Sequence, residues 1–101
     1  MDRWQKMQEE IGVFTDKTFG TSTPRAKALH LAEEAQEAAD DPADIIEWAD
    51  CIILLLDGVR KAGYTTDDLY DAVQRKMEIN KNRTWGKADK DGVVRHKKDV
   101  A

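Results

Sequence analysis

The sequence predicts an all-α fold, a four-helix bundle completed by the packing of subunits against one another. Three observations carry that prediction. Apolar residues recur at intervals of three and four, helix start and stop residues punctuate the chain, and no stretch alternates apolar with polar residues as a strand does. The first helix covers about Arg3 to Thr18, where Trp4, Met7, Ile11 and Phe14 fall at helical spacing and form an expected core stripe. Phe19-Gly20-Thr21-Ser22-Thr23 breaks it. Thr23 then serves as an N-cap with Pro24 at the first helical position, and helix two runs to about Asp40. Asp41-Pro42 repeats that start signal, which places Asp44 in the first turn of helix three, and Gly63 lies just past that helix as its terminating glycine. Thr65 or Thr66 caps helix four, Asp67 and Asp68 occupy its first turn, and Leu69, Val73 and Met77 form its apolar stripe. After Arg83 the periodicity stops. Residues 1–85 therefore read as one all-α domain and residues 86–101 as an irregular tail.

Helix three decides the architecture. Ile45, Ile46, Trp48, Ala49, Cys51 and the run Ile52 to Leu56 make it apolar nearly all round, whereas a surface helix keeps a polar face. Three other short helices cannot cover it, so self-association to a dimer or tetramer is expected, with this helix central.

Composition narrows the class. A chain of 101 residues with 41% apolar and 36% charged residues is a single globular domain, neither disordered nor membranous. The longest apolar stretch, Ile45 to Val59, carries Glu47, Asp50 and Asp57, too short and too charged to span a bilayer, and no membrane partner is expected. The N-terminus lacks the apolar segment of a secretory signal. A single cysteine, Cys51, excludes an intrachain disulfide and fits a buried packing residue in a reducing cytosol. The net charge of −4 conceals an asymmetry: residues 75–98 hold nine bases and three acids, while the middle of the chain is acidic. A basic end can contact nucleic acid, remain a solvated tail, or face the acidic region across a metal–polyphosphate ligand. Nucleic acid is not the expected partner.

The chemistry lies in two acidic clusters. Glu33-Glu34-x-x-Glu37 and Glu47-x-x-Asp50 each place carboxylates on one helical face, at spacings where like charges repel. Between Ala28 and Val59 there are nine acids and no Lys or Arg, so no base within that stretch neutralises them. A solvated acidic face is the plain reading for helix two alone, but Glu47 and Asp50 sit among apolar neighbours, where charge is costly. Two helices joined by a short loop bring Glu34, Glu37, Glu47 and Asp50 face to face as a hard oxygen site suited to Mg²⁺ or Mn²⁺. On helix four, Lys76, Asn80 and Arg83 share another face, and Lys and Arg there can bind phosphate oxygens. Carboxylates for metal together with bases for phosphate indicate polyphosphate chemistry. Asp89-Lys90-Asp91-Gly92 faintly matches the start of a calcium loop but lacks its closing glutamate.

The order Glu34-x-x-Glu37, Glu47-x-x-Asp50, Lys76-x-x-x-Asn80-x-x-Arg83 resembles the MazG-like superfamily of all-α nucleoside triphosphate pyrophosphohydrolases. The stretch from His30 to Trp85 is most similar to the dATP/dGTP diphosphohydrolase branch, which includes small phage enzymes of the MazZ type. The resemblance implies a Mg²⁺- or Mn²⁺-dependent enzyme that cleaves a nucleoside triphosphate, dGTP or dATP, to the monophosphate and pyrophosphate. Glu34, Glu37, Glu47 and Asp50 would hold two or more ions, Glu33 would orient or deprotonate the attacking water, and Lys76, Asn80 and Arg83 would hold the triphosphate. Family members often carry Arg where this chain has Asn80, which implies rearranged phosphate contacts there. The short link from Ala38 to Ile46 suits the compact members. His30 is either a polar packing residue or a base or phosphate contact. Trp85 either closes the pocket or stacks on the base, and Trp4, Phe14 and Phe19 are assigned to the core rather than to purine stacking. Two rivals remain: a house-cleaning pyrophosphohydrolase for non-standard or pyrimidine nucleotides, and a non-enzymatic all-α binding protein.

Overall fold

In the computed structural model, which describes residues 2–98, four helices follow one another: α1 (Arg3–Phe19), α2 (Pro24–Asp40), α3 (Ile45–Lys61) and α4 (Thr66–Lys81). No strand occurs among the described residues, and no helix there is long and apolar enough to cross a membrane. The chain divides into two compact units, residues 1–69 and 70–101.

Side-chain caps fix the helix starts. Asp2 Oδ1 accepts the N–H groups of Trp4 and Gln5 at 2.8 and 3.0 Å, and Thr23 Oγ1 accepts Ala26 N–H at 3.0 Å ahead of Pro24. At α4, Thr65 and Asp68 cap reciprocally: Asp68 Oδ2 accepts Thr65 N–H at 2.9 Å and Thr65 Oγ1 accepts Asp68 N–H at 3.1 Å. The start of α3 differs from expectation. Asp41 closes α2 by donating its N–H to the Glu37 carbonyl, which leaves Asp44 as the first free carboxylate, and its Oδ1 accepts Ile46 N–H at 2.9 Å. Asp44 is thus the cap, and Pro42 lies in the link, where its carbonyl accepts Trp48 Nε1–H at 3.0 Å. α3 ends as the sequence indicates. Gly63 takes φ 95°, and the N–H groups of Gly63 and Tyr64 return to the carbonyls of Arg60 and Val59.

Within residues 1–69, α2 packs along α3 and α1 lies against α3. The pairings Lys27 with Asp57 and Glu37 with Glu47 run in opposite order along α2 and α3, so the two are antiparallel. The buried apolar core is small, Ala38, Leu54 and Leu56. α1 presents a polar inner face instead of the expected stripe: Gln8, Gly12 and Thr15 are buried, while Trp4, Met7 and Phe14 are exposed. Hydrogen bonding explains the choice. Gln8 Nε2 donates to the carbonyls of Leu56 and Tyr64, each at 3.2 Å, and Gln5 Oε1 accepts the Thr66 N–H and hydroxyl at 2.9 and 3.1 Å. These bonds satisfy buried polar groups where α3 ends and α4 begins.

Beyond residue 69, the segment after α4 carries no helix or strand through residue 98 and folds back on itself through a few hydrogen bonds. Gly86 N–H donates to the Arg95 carbonyl at 2.8 Å and Lys97 N–H to the Thr84 carbonyl at 2.7 Å, closing a loop in which Trp85 bridges to His96. Asp89 organises the turn: Oδ1 accepts Asp91 and Val93 N–H at 2.9 and 3.0 Å, and Oδ2 pairs with Arg95 at 2.8 Å. The residues that faintly matched a calcium loop therefore spend the first carboxylate on the chain itself. Residues 99–101 of the expected tail lie outside the described residues.

Candidate active site

The antiparallel register of α2 and α3 brings the acidic clusters together. Glu34, Glu37 and Glu47 each offer a carboxylate oxygen, and these oxygens all lie within 4.8 Å of one another. Glu34 and Glu47 are half-buried and Glu37 is exposed. Glu47 Oε2 is buried with no hydrogen-bond partner, an acceptor left open. Burial first, then the charges of Glu37, Asp44, Asp50 and Asp41, push the Glu47 carboxyl above its ordinary value. Glu34 is pushed up by its hydrogen bond with Glu37, by burial and by the charges of Glu37 and Asp50, with His30 acting in the opposite sense. Asp50 thus stands close enough to act on both glutamates, although it is outside the tight group of three. Glu33 is exposed on the adjoining face and does not join the cluster.

Such an arrangement resists full ionisation and holds oxygen ligands with no internal donor, which is what a hard divalent cation requires. The residues present fit the metals expected from the sequence. His30 Nε2 lies 3.3 Å from Glu34 Oε1, with the imidazole half exposed.

A cavity of about 440 Å³ adjoins the cluster, lined by Phe14, Phe19, Lys27, His30, Glu34 and Asp50 among others. Phe14 and Phe19 meet edge to face with ring centroids 6.0 Å apart, both exposed and not in the core. Beneath them lies an ion network that the sequence reading missed. Asp57, fully buried, has Oδ2 3.0 Å from Lys27 Nζ and accepts Arg60 Nε–H on Oδ1 at 2.9 Å. Arg60 continues to Asp16 at 2.9 Å, and Lys61 reaches the same Asp16 oxygen at 2.8 Å. Burial pushes Asp57 up, yet its bonds to Lys27, Arg60 and Thr15 outweigh burial and hold it below its ordinary value. The stretch without bases began one residue after Lys27 and stopped one before Arg60, which hid both partners. Spacing could have revealed one of them: Lys27 precedes Glu34 by two helical turns and Asp57 follows Asp50 by two, so the register that pairs the acids also pairs Lys27 with Asp57.

In residues 70–98, the phosphate-binding candidates are partly assembled. Arg83 Nη1 donates to Asn80 Oδ1 at 3.5 Å, and Trp85 Nε1 donates to the Asn80 carbonyl at 3.0 Å. Trp85 also stands edge-on to His96, with centroids 6.0 Å apart. Lys76 is exposed one turn earlier on α4.

The chain is similar to several known proteins. A family model described as dATP/dGTP pyrophosphohydrolase matches residues 7–100. The chain is 42% identical over 91 residues to the Eaa protein of Salmonella phage P22, covering 90% of this chain and 28% of that protein. It is 33% identical over 93 residues to a dATP/dGTP diphosphohydrolase of Cyanophage S-2L, covering 90% of this chain and 85% of the other. With a dATP/dGTP diphosphohydrolase of Salmonella phage PMBT28 it shares 37% identity over 93 residues, 89% of this chain and 30% of that one. The chain therefore spans less than a third of two of these three relatives. Among solved structures, the Cyanophage S-2L MazG-like pyrophosphohydrolase, bound to dGDP and three catalytic Mn²⁺ ions per active site, superposes with a TM-score of 0.75 at 31% identity, covering 98% of this chain and 97% of the other.

Proposed function

Because the chain belongs to the dATP/dGTP pyrophosphohydrolase family, we propose that it hydrolyses a deoxynucleoside triphosphate, dGTP or dATP, to the monophosphate and pyrophosphate with the help of divalent cations. The observation that carries this reading is the group of three carboxylates within 4.8 Å of one another, one of them with a buried, unpartnered oxygen. Glu34, Glu37, Glu47 and Asp50 hold the ions, two or more of Mg²⁺ or Mn²⁺. Bound there, such ions supply neutralisation of phosphate oxygens and an acidified water.

The remaining roles belong to side chains. Glu33, outside the tight group and exposed, takes the role of base toward the attacking water as the resemblance implies, and His30 orients the Glu34 carboxylate through its 3.3 Å contact. Lys76 and Arg83 supply cationic donors for triphosphate oxygens, with Asn80 fixing the Arg83 guanidinium and the Trp85 indole. The chain works as a self-associated oligomer, a dimer or tetramer in a host cytosol; its support is the apolar surface left on α1 and α3.

Incubation of the purified protein with each dNTP and Mg²⁺ or Mn²⁺, followed by chromatographic separation, tests the reading. dGMP or dAMP with stoichiometric pyrophosphate is the expected result. Glu34→Gln and Asp50→Asn each lower turnover by at least about a hundredfold while helical circular dichroism persists. Only dUMP or dCMP as product would replace this assignment with the house-cleaning one, and no product from any nucleotide would leave a binding protein.

A further inference from the structure

The cavity beside the carboxylates joins two chemistries about two helical turns, roughly 10 Å, apart along α2 and α3. Glu34 and Asp50 stand at one end, and Lys27 and Asp57 at the other, with Phe14 and Phe19 of α1 also on its wall. That span suits a nucleoside whose phosphates lie at the carboxylates.

Lys27 is not explained by folding alone. Its side chain is 7% exposed, faces the cavity, and lies 5.5 Å from the centre of the Phe19 ring. An ammonium has three donors and no acceptor, and here one carboxylate oxygen of Asp57 is its hydrophilic partner, while the other oxygen of Asp57 is occupied by Arg60. Lys27 is paired with Asp57 at the buried end of the network, while Arg60 and Lys61 share the half-exposed Asp16 at the other. The remaining donors of a buried ammonium are costly to leave without an acceptor. Purines differ at the edge such a donor would meet. Guanine presents two acceptors, N7 and O6, whereas adenine presents N7 and a donating 6-amino group.

We propose that Lys27, held in place by Asp57, reads the O6/N7 edge of a 6-oxopurine seated against Phe14 and Phe19, and so sets a preference for dGTP over dATP. The proposal rests on the hydrolase reading for its substrate class and adds the base and the residue that selects it. Lys27 is here a specificity-determining residue, distinct from the carboxylates that hold the ions.

A substrate series tests it on the unmodified protein. With Mn²⁺ saturating, kcat/KM from pyrophosphate release is expected to be similar for dGTP and dITP. For dATP and the 2,6-diaminopurine nucleotide it is expected to be lower by about tenfold to a hundredfold, the worth of a hydrogen bond to a charged group. Lys27→Met brings the dGTP to dATP ratio towards unity, mainly through KM for dGTP, whereas a purely structural Lys27 would lower both substrates together and leave the ratio intact. Calorimetric titration of the wild-type protein with dGDP and dADP in Mn²⁺ reads the base without turnover. Tighter dGDP binding supports the proposal even if no pyrophosphate is released, an outcome that would overturn only the hydrolase reading. Equal affinities, or dATP processed as well as dGTP, overturn the proposal.

Discussion

Glu47 occupies the least favourable position of any candidate ligand in the metal-free chain, with one oxygen buried and unpartnered and the carboxyl pushed up by burial and by its acidic neighbours. A carboxyl whose folded value is raised destabilises the fold as pH rises from the ordinary range through the raised value, because ionisation is then harder folded than unfolded. Glu47→Gln removes the charge and keeps the shape. It is expected to raise the metal-free melting temperature at pH 7 by about 2–5 °C and to abolish most of the rise produced by Mn²⁺, both read by thermal shift. An unchanged Mn²⁺ response would remove Glu47 from the ligand set. Asp16 shows the opposite linkage. Hydrogen bonds from Arg60 and Lys61 lower it from 3.8 to about 2, so its contribution is intact above 3.8 and disappears as pH falls towards 2. Asp16→Asn is expected to flatten the acid limb of stability over that window in urea titrations. Much at this scale was legible: the convergence of the Glu34, Glu37 and Glu47 carboxylates was readable from spacing and a short link between helices. The Asp57 network was not, because its partners come from three helices and only the register of α2 on α3 and the approach of α1 bring them together.

Among the elements, caps were the most legible feature and helix faces the least. Thr23-Pro24 and Thr65 with Asp68 act where the sequence placed them, since a cap is a local bond within one turn. Asp41 and Asp44 competed for one role, and the choice depended on where α2 ended. For α1, periodicity selected the apolar stripe, whereas tertiary hydrogen bonds turned the neighbouring polar face inward. Gly12 shows why that face fits: a Cβ there would lie 2.5 Å from Arg60 Nε, within the guanidinium that bridges Asp57 and Asp16. In an exposed helix interior, Gly→Ala gains up to about 1 kcal/mol. Here displacement of Arg60 weakens the partner of a buried carboxylate, so Gly12→Ala is expected to destabilise by about 1–3 kcal/mol net. The shift in urea midpoint measures it, and a stabilised variant would show that Arg60 has room to move aside.

The uncovered apolar surface of the whole molecule sets the final expectation. The core buries few large apolar side chains, yet Ile45 is 75% exposed, Val13 72%, and Ile46, Trp48 and Ile52 are also exposed. The sequence made this legible, because a helix apolar on nearly every side cannot be enclosed by three short companions. Which faces meet is not legible, since that depends on shape complementarity between surfaces far apart in the chain. Scattered apolar residues are ordinary on a surface, but a series on consecutive turns of one helix is a contiguous patch of the kind monomers seldom expose. Self-association would bury that patch and couple folding to protein concentration. Light scattering after size exclusion is therefore expected to give a dimer or tetramer at micromolar concentration, with a melting temperature that rises as the protein is concentrated. Ile52→Glu, which places a charge on that patch away from the carboxylate cluster and the cavity, is expected to shift the population towards monomer and to lower the melting temperature by several degrees. A wild-type monomer at tens of micromolar with a concentration-independent melting temperature would refute self-association and require this small core to sustain the fold alone.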